Sequence, residues 1–110
     1  MKTDDFPIVI FWTAKNLNEA EKIAEALVKE KLAACCSIVP LVRSIYMWDE
    51  KVEKSEEAKV FIKTFFSLFD KVKKAIVSRA SYEVPEILAL KVEAGLKDYL
   101  DWMENLHRSQ

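Results

Sequence analysis

AACCSIVPLVRSIYMWDEKVEKSEEAKVFIKTF, residues 33–65, is the stretch whose reading decides the fold. From Ala33 to Met47, period two separates Ala33, Cys35, Ser37, Val39 and Leu41 from Ala34, Cys36, Ile38, Pro40 and Val42. Trp48-Asp49-Glu50-Lys51 makes a polar turn. From Val52 to Phe65 the alternation resumes, with Val52, Lys54, Glu56, Ala58, Val60 and Ile62 on one face and Glu53, Ser55, Glu57, Lys59, Phe61 and Lys63 on the other. Two alternating arms around one turn predict an antiparallel hairpin. Pro40 has no N–H for a ladder, so it marks an edge strand or a bulge.

The flanking segments supply the rest of the fold. Pro7 to Thr13 is a short, nearly continuous apolar run rich in β-branched and aromatic residues, which predicts a strand buried on both faces. Asn16 to Lys31 predicts a helix. Asn16 and Glu19 form a capping pair, and Leu17, Ala20, Ile23, Ala24, Leu27 and Val28 make one apolar stripe. Ser67-Leu68-Phe69-Asp70 has the capping-box pattern for a second helix, with Phe69, Val72, Ala75 and Ile76 facing inward. After a polar loop, Ile87 to Val92 reads as a strand. Gly95 then precedes a third helix with Leu96, Tyr99, Leu100, Met103 and Leu106 inward. The order is βαββαβ plus a C-terminal helix. It predicts an α+β, ferredoxin-like sandwich with a long central hairpin, in one domain over residues 1–110.

The hairpin is too long for such a domain alone. Each arm runs about 14–15 residues against a mean strand of ~5–6. At ~3.3 Å per residue it reaches nearly 50 Å, whereas a 16-residue helix covers ~24 Å. Tyr46, Met47, Trp48, Val52 and Ala58 lie along the overhang, and a long, partly apolar edge calls for a partner. The economical partner is another copy, which predicts a closed homo-oligomer. The alternative is a bent hairpin folding back on its own sheet.

Composition excludes several classes. Of 110 residues, 51% are hydrophobic and 32% charged, with one glycine and three prolines, which is not a disordered or linker chain. No apolar run approaches the ~18 residues of a membrane helix. A net charge of −1 gives no general attraction to nucleic acid or anionic lipid. Neither nucleic-acid binding nor membrane insertion is expected. Two adjacent cysteines and no export signal at the N-terminus predict free thiols and a cytoplasmic location.

Catalytic motifs are sparse, and no enzyme is expected. The lone glycine excludes Gly-rich phosphate loops. The only histidine, His107, lies near the C-terminus where chains fray, so neither a histidine triad nor a histidine metal cluster is expected within one chain. Cys35 and Cys36 point to opposite faces of a strand. Cys35 is a candidate single soft ligand for copper or zinc, although a small buried hydrophobe accounts for either thiol. Glu53, Glu56 and Glu57 cluster on the hairpin, where solvation explains them. Glu86 sits with Tyr82 and Pro85 at a loop-to-strand junction, where sites often form.

Five ordered motifs carry a family resemblance. They are Lys31-Leu32-Ala33-Ala34-Cys35, Tyr46-x-Trp48-x-x-Lys51-Val52-Glu53, Ile62-Lys63-Thr64, Tyr82-Glu83-Val84-Pro85-Glu86-Ile87 and Gly95-x-x-x-Tyr99-Leu100-x-Trp102. Together, from about Ile8 to Leu106, they resemble the CutA family of divalent-cation tolerance proteins. The resemblance implies a ferredoxin-like homotrimer with hairpins packed between subunits, a link to copper and other divalent metals, and no established enzymatic activity. It also implies three positions for copper ligands, occupied here by Trp12, Arg79 and Ala80, none of them a good Cu(II) ligand. Glu50 stands where the family's turn glycine is expected.

Three functions follow. The first is a trimeric protein of divalent-metal (copper) tolerance that has not retained the family copper ligands. The second rests on the family's similarity to PII signalling proteins. Trp48, Lys63, Tyr82, Glu86 and Trp102 would line an inter-subunit cleft for a small polar effector, although interface packing with a salt bridge accounts for the same residues. The third is a ferredoxin-like enzyme or RNA binder. It is disfavoured because Lys15-Asn16 makes a poor phosphate loop and because Glu53 and Glu57 share the face of Phe61 and Phe65.

Overall fold

The structure is a computed structural model and describes residues 5–108. Its elements are β1 (Pro7–Ala14), α1 (Leu17–Lys29), β2 (Cys35–Trp48), β3 (Lys51–Phe65), a 3₁₀ turn (Phe66–Leu68), α2 (Phe69–Arg79), β4 (Ile87–Lys91) and α3 (Lys97–Arg108). The four strands form one antiparallel sheet in the order β2-β3-β1-β4, the mixed α+β ferredoxin-like arrangement expected from the sequence.

One sheet face carries the core. Ile8, Ile10, Trp12, Ala58, Val60 and Ile62 project onto it, under Ala20, Ile23 and Leu27 of α1 and Val72 and Ile76 of α2. The opposite face of β1 is only half-covered, which corrects the expectation of a strand buried on both sides: Val9 and Phe11 alternate with the buried set. There Phe11 meets Phe61 of β3 edge-to-face, with ring centroids 5.2 Å apart.

Local signals explain most boundaries. Asn16 Oδ1 accepts from the Glu19 N–H at 2.9 Å and caps α1, and Glu19 reaches back to the Lys15 N–H at 3.1 Å. The helix stops at Lys29, and Lys31 follows with φ 61°, the left-handed position that favours glycine. The Ser67 cap does not form. Ser67 lies inside the 3₁₀ turn, α2 starts at Phe69 without a side-chain cap, and the Ser67 hydroxyl donates to Asp5 instead. A tertiary acceptor has taken the hydroxyl away from the local backbone N–H that a capping serine would accept from.

β3 outruns its neighbour. Residues 58–65 pair with β1, whereas residues 51–57 pair only with β2, so the end of the hairpin is a two-stranded ribbon. The molecule is accordingly 45 Å long and 26 by 21 Å across. One extra β2 residue is accommodated between Val39 and Val42, so Pro40 lies in both an edge strand and a bulge. At the tip, Asp49 (φ 48°) and Glu50 (φ 64°) both adopt positive φ, the geometry of a type I′ turn. Met47, Trp48 and Val52 are 63–64% exposed there, as are Leu41 and Ile45 along the ribbon. Ala58 does not belong with them: it is fully buried opposite Ala14. The ribbon does not fold back onto the sheet.

The inward face expected for α3 is also corrected. Only Met103 is buried, while Leu96, Tyr99, Trp102 and Leu106 remain exposed.

Candidate functional site

The sheet face away from the core carries a row of polar groups. Alternation places Glu57, Lys59 and Lys63 of β3 on this face, and Thr13 lies beside Lys59 in the register with β1. Glu86 enters at the start of β4, where its C=O accepts from the Thr13 N–H at 3.4 Å. Lys59 Nζ donates to Glu86 Oε1 at 2.7 Å and to Thr13 Oγ1 at 2.8 Å, and the Thr13 hydroxyl donates to the same Glu86 oxygen at 2.8 Å. Burial opposes ionisation of Glu86, but Lys59 and Thr13 outweigh it and hold the carboxyl below its ordinary range.

Two residues along β3, Glu57 is 8% exposed and accepts a 2.6 Å hydrogen bond from the Tyr82 phenol. Burial, together with donation to that carboxylate, raises the Tyr82 pKa above its ordinary value. Tyr82 is therefore a fixed donor with a set ring orientation. The adjacent loop is tied to α1, where Glu19 Oε1 accepts from the Ser81 N–H at 2.8 Å and from the Ser81 hydroxyl.

Nearer the start of β2, Lys63 Nζ donates to Ser37 Oγ at 2.6 Å and approaches Cys35 Sγ at 3.7 Å. Burial and the neighbouring Cys35 raise the pKa of the Tyr99 phenol. Tyr99 in turn meets Trp102 at 5.4 Å between ring centroids. Cys36 faces the core. Burial, then the neighbouring Cys35 thiol, pushes its pKa up to about 12, so it behaves as a small apolar side chain.

The five cleft candidates therefore fall into three places within one protomer. Tyr82 and Glu86 belong to the Glu57–Lys59–Thr13 row. Lys63 and Trp102 lie with Cys35 and Tyr99. Trp48 stands at the hairpin tip. Lys63 and Glu86 do not pair with each other: each has the partners described above. Sequence reasoning missed Thr13 and Lys59, the two groups that fix Glu86. The alternation had already placed Lys59 on the face of Glu57, but neither the β1 register nor the position of Glu86 could be read from spacing.

Among the described residues, no group of three or more His, Cys, Asp or Glu side chains could hold an ion. Of the three positions that the family resemblance assigns to copper, Trp12 is fully buried in the core and Ala80 offers no side-chain donor. Arg79 is engaged at 2.9 Å with Glu30. Cys35 and Cys36 are free thiols. No helix among the described residues is long and apolar enough to cross a membrane.

Comparison with known proteins gives a consistent result. The family model described as CutA1 divalent ion tolerance protein matches residues 8–106. The chain is 40% identical over 95 residues to the divalent-cation tolerance protein CutA of Archaeoglobus fulgidus, covering 86% of this chain and 92% of that one. It is 38% identical over 102 residues to the chloroplastic Protein CutA of Arabidopsis thaliana, covering 93% of this chain but spanning only 56% of that relative. Among solved structures, the periplasmic divalent cation tolerance protein CutA of A. fulgidus superposes with a TM-score of 0.89 at 36% identity, covering 93% of this chain and 99% of that one. CutA1 of Oryza sativa gives 0.90 at 36% identity, covering 94% and 95%.

Proposed function

The chain belongs to the CutA1 divalent ion tolerance protein family, and from that premise we propose that it is a homotrimeric, non-enzymatic protein of divalent-metal tolerance that works without the family's copper ligands. The observation that carries the trimer is the ribbon of residues 51–57 and its β2 partner, which extends past β1 with Leu41, Ile45, Met47, Trp48 and Val52 exposed. Such a surface is stable in water when another copy covers it. The missing copper site rests on Trp12, whose indole packs in the core where a ligand would be required. Copper or zinc bound through Cys35 alone would be weak. Free thiols support a cytoplasmic location, and the slight negative charge speaks against nucleic acid as a partner.

Solution mass and calorimetry test this reading. Sedimentation should give three copies of the 12.7 kDa chain, and Met47→Ser with Trp48→Ser should shift the mass toward one copy. A wild-type monomer would overturn the trimer. Cu(II) and Zn(II) titrations should show no stoichiometric site at micromolar concentration. A tight site that survives His107→Ala would overturn the metal reading.

A second reading is supported by the oriented polar groups on the sheet face, the Glu86 carboxylate and the Tyr82 phenol. In it, Trp48 from one copy closes over Lys63, Tyr82, Glu86 and Trp102 of its neighbours, and the cleft binds a small polar effector as PII-like trimers do. Glu86 and Tyr82, already oriented by Lys59 and Glu57, suit that role. A thermal-shift screen of small polar metabolites, in which none stabilises the assembly, would count against it.

A further inference from the structure

A basic cleft lies on the helix side of the sheet, away from the polar row that holds Glu86. One wall is a single face of α1 and the residues leading into it, with Lys15, Glu19, Lys22 and Ala26 at spacings of four, three and four. Arg79 at the end of α2 and Ser81 in the following loop form the other wall. The opening has a volume of about 450 Å³, within the range of small-molecule sites. Both walls are tied together. The Glu19 carboxylate accepts from the Ser81 N–H at 2.8 Å and from the Ser81 hydroxyl, and Arg79 Nη2 donates to Glu30 at 2.9 Å.

Charge in this cleft is opposite to that of the chain. Lys15, Lys22 and Arg79 line it with one acid, Glu19, whereas the whole chain carries −1. Glu19 is committed elsewhere: its oxygens accept from Ser81 twice and from the Lys15 N–H at 3.1 Å. Among the described residues, no carboxylate lies within ion-pair distance of the Lys15 or Lys22 ammonium group. Arg79 spends Nη2 on Glu30 and an Nη1 hydrogen on the Ala75 carbonyl at 3.5 Å, which orients the guanidinium and leaves further N–H donors for the cleft. The helix amides are not the attraction, because Asn16 already caps the Glu19 N–H at 2.9 Å. Between the cations, Ile23 and Ala26 give the cleft an apolar strip.

We propose that this cleft binds a small phosphomonoester, its phosphoryl group held by Lys15, Lys22 and Arg79 and its organic part laid over Ile23 and Ala26. Two ammonium groups without a counter-ion and an oriented guanidinium match the near-dianionic charge and three acceptor oxygens of a phosphoryl group. A monoanion such as a carboxylate or a sulfate ester would leave more of that positive charge uncompensated. The opening is larger than one phosphate group fills, and the apolar strip gives an organic part a surface to cover. Asn18, which also lines the cleft, offers an amide donor and acceptor to a hydroxyl on that part. The site is independent of both functional readings above, because it is built from α1 and the end of α2 rather than from the hairpin ribbon or the outer sheet face.

Calorimetry on the full chain at pH 8, with phenyl phosphate as the probe, tests the site. Binding should saturate at one probe per chain, and phenyl sulfate, a monoanion of similar shape, should bind at least about tenfold more weakly. Lys15→Ala and Lys22→Glu should each weaken phenyl phosphate about tenfold. Both side chains are exposed, and the bond from Lys15 to Glu19 uses the backbone N–H, so neither change removes a contact that holds the fold. Lys74→Glu, on an exposed position of α2 outside the cleft, alters net charge as Lys22→Glu does and should change affinity by less than about twofold. Binding that does not saturate, or phenyl sulfate bound as tightly as phenyl phosphate, would overturn the proposal. So would an equal loss in Lys74→Glu, which would reveal general charge attraction. Inorganic phosphate bound as tightly as phenyl phosphate would overturn the assignment to an ester.

Discussion

Lys59 Nζ lies 2.7 Å from Glu86 Oε1, and this contact ties β3 to the entry of β4 through the Thr13 hydroxyl of β1. Three strands share one polar junction. Its stability contribution depends on pH. The folded-state pKa of Glu86 is depressed, so the contribution is present above the unfolded carboxylate value and is lost as pH falls through the folded one. Both partners are partly solvated, so screening limits the pair to about 1 kcal/mol. Glu86→Gln should lower stability by about that amount at pH 7, and the gap between variant and wild type should close toward pH 3. Urea denaturation at the two pH values measures it.

Glu50 holds φ 64° with a full side chain. A left-handed conformation costs a residue with a Cβ about 1–2 kcal/mol relative to glycine, partly offset by glycine's greater freedom in the unfolded chain. Glu50→Gly should therefore stabilise the protein by about 1 kcal/mol and raise the thermal midpoint by a few degrees. Thermal unfolding followed by circular dichroism checks the sign.

Cys36 should be chemically silent. Its thiol sits against α1, with the Ala24 carbonyl 4.0 Å away, and burial raises its pKa to about 12. Thiolate is the reactive form, so iodoacetamide at pH 8 should leave Cys36 unmodified in the native protein and alkylate it once urea unfolds the chain. Peptide mass spectrometry distinguishes Cys36 from Cys35.

Trp12 fills the centre of the core, fully buried between β3 and β4 in the sheet. Trp12→Ala should destabilise by about 3–5 kcal/mol through lost transfer energy and the resulting cavity. Its indole Nε1 is buried without a hydrogen-bond partner among the described residues, so the favourable part of its burial is apolar packing rather than polar anchoring. Chemical denaturation, with the slope checked for constancy, measures the loss.

The fold was legible because its signals were local and periodic. Alternation across residues 33–65 specified the hairpin, Pro40 marked its irregularity, and Asn16 marked the start of α1. Misreadings occurred where a distant group outcompeted a local one. Ser67 has the sequence of a cap but bonds Asp5, 62 positions away. α3 has an amphipathic pattern, yet its stripe lies largely open in the protomer. The site was less legible than the fold. Glu86 could be picked out by its position at a loop–strand junction, whereas Lys59 and Thr13 could not, because their contact with it depends on strand register.

The sequence by itself determined the order of elements, the length of the hairpin and the family, since period, turn chemistry and motif spacing are properties of neighbours along the chain. The tertiary structure alone decided which polar groups meet: Lys59 with Glu86 rather than Lys63, and Tyr82 with Glu57. Strand pairing and helix docking bring together residues tens of positions apart, and a hydrogen bond formed over less than 3 Å is decided by that geometry and not by sequence separation.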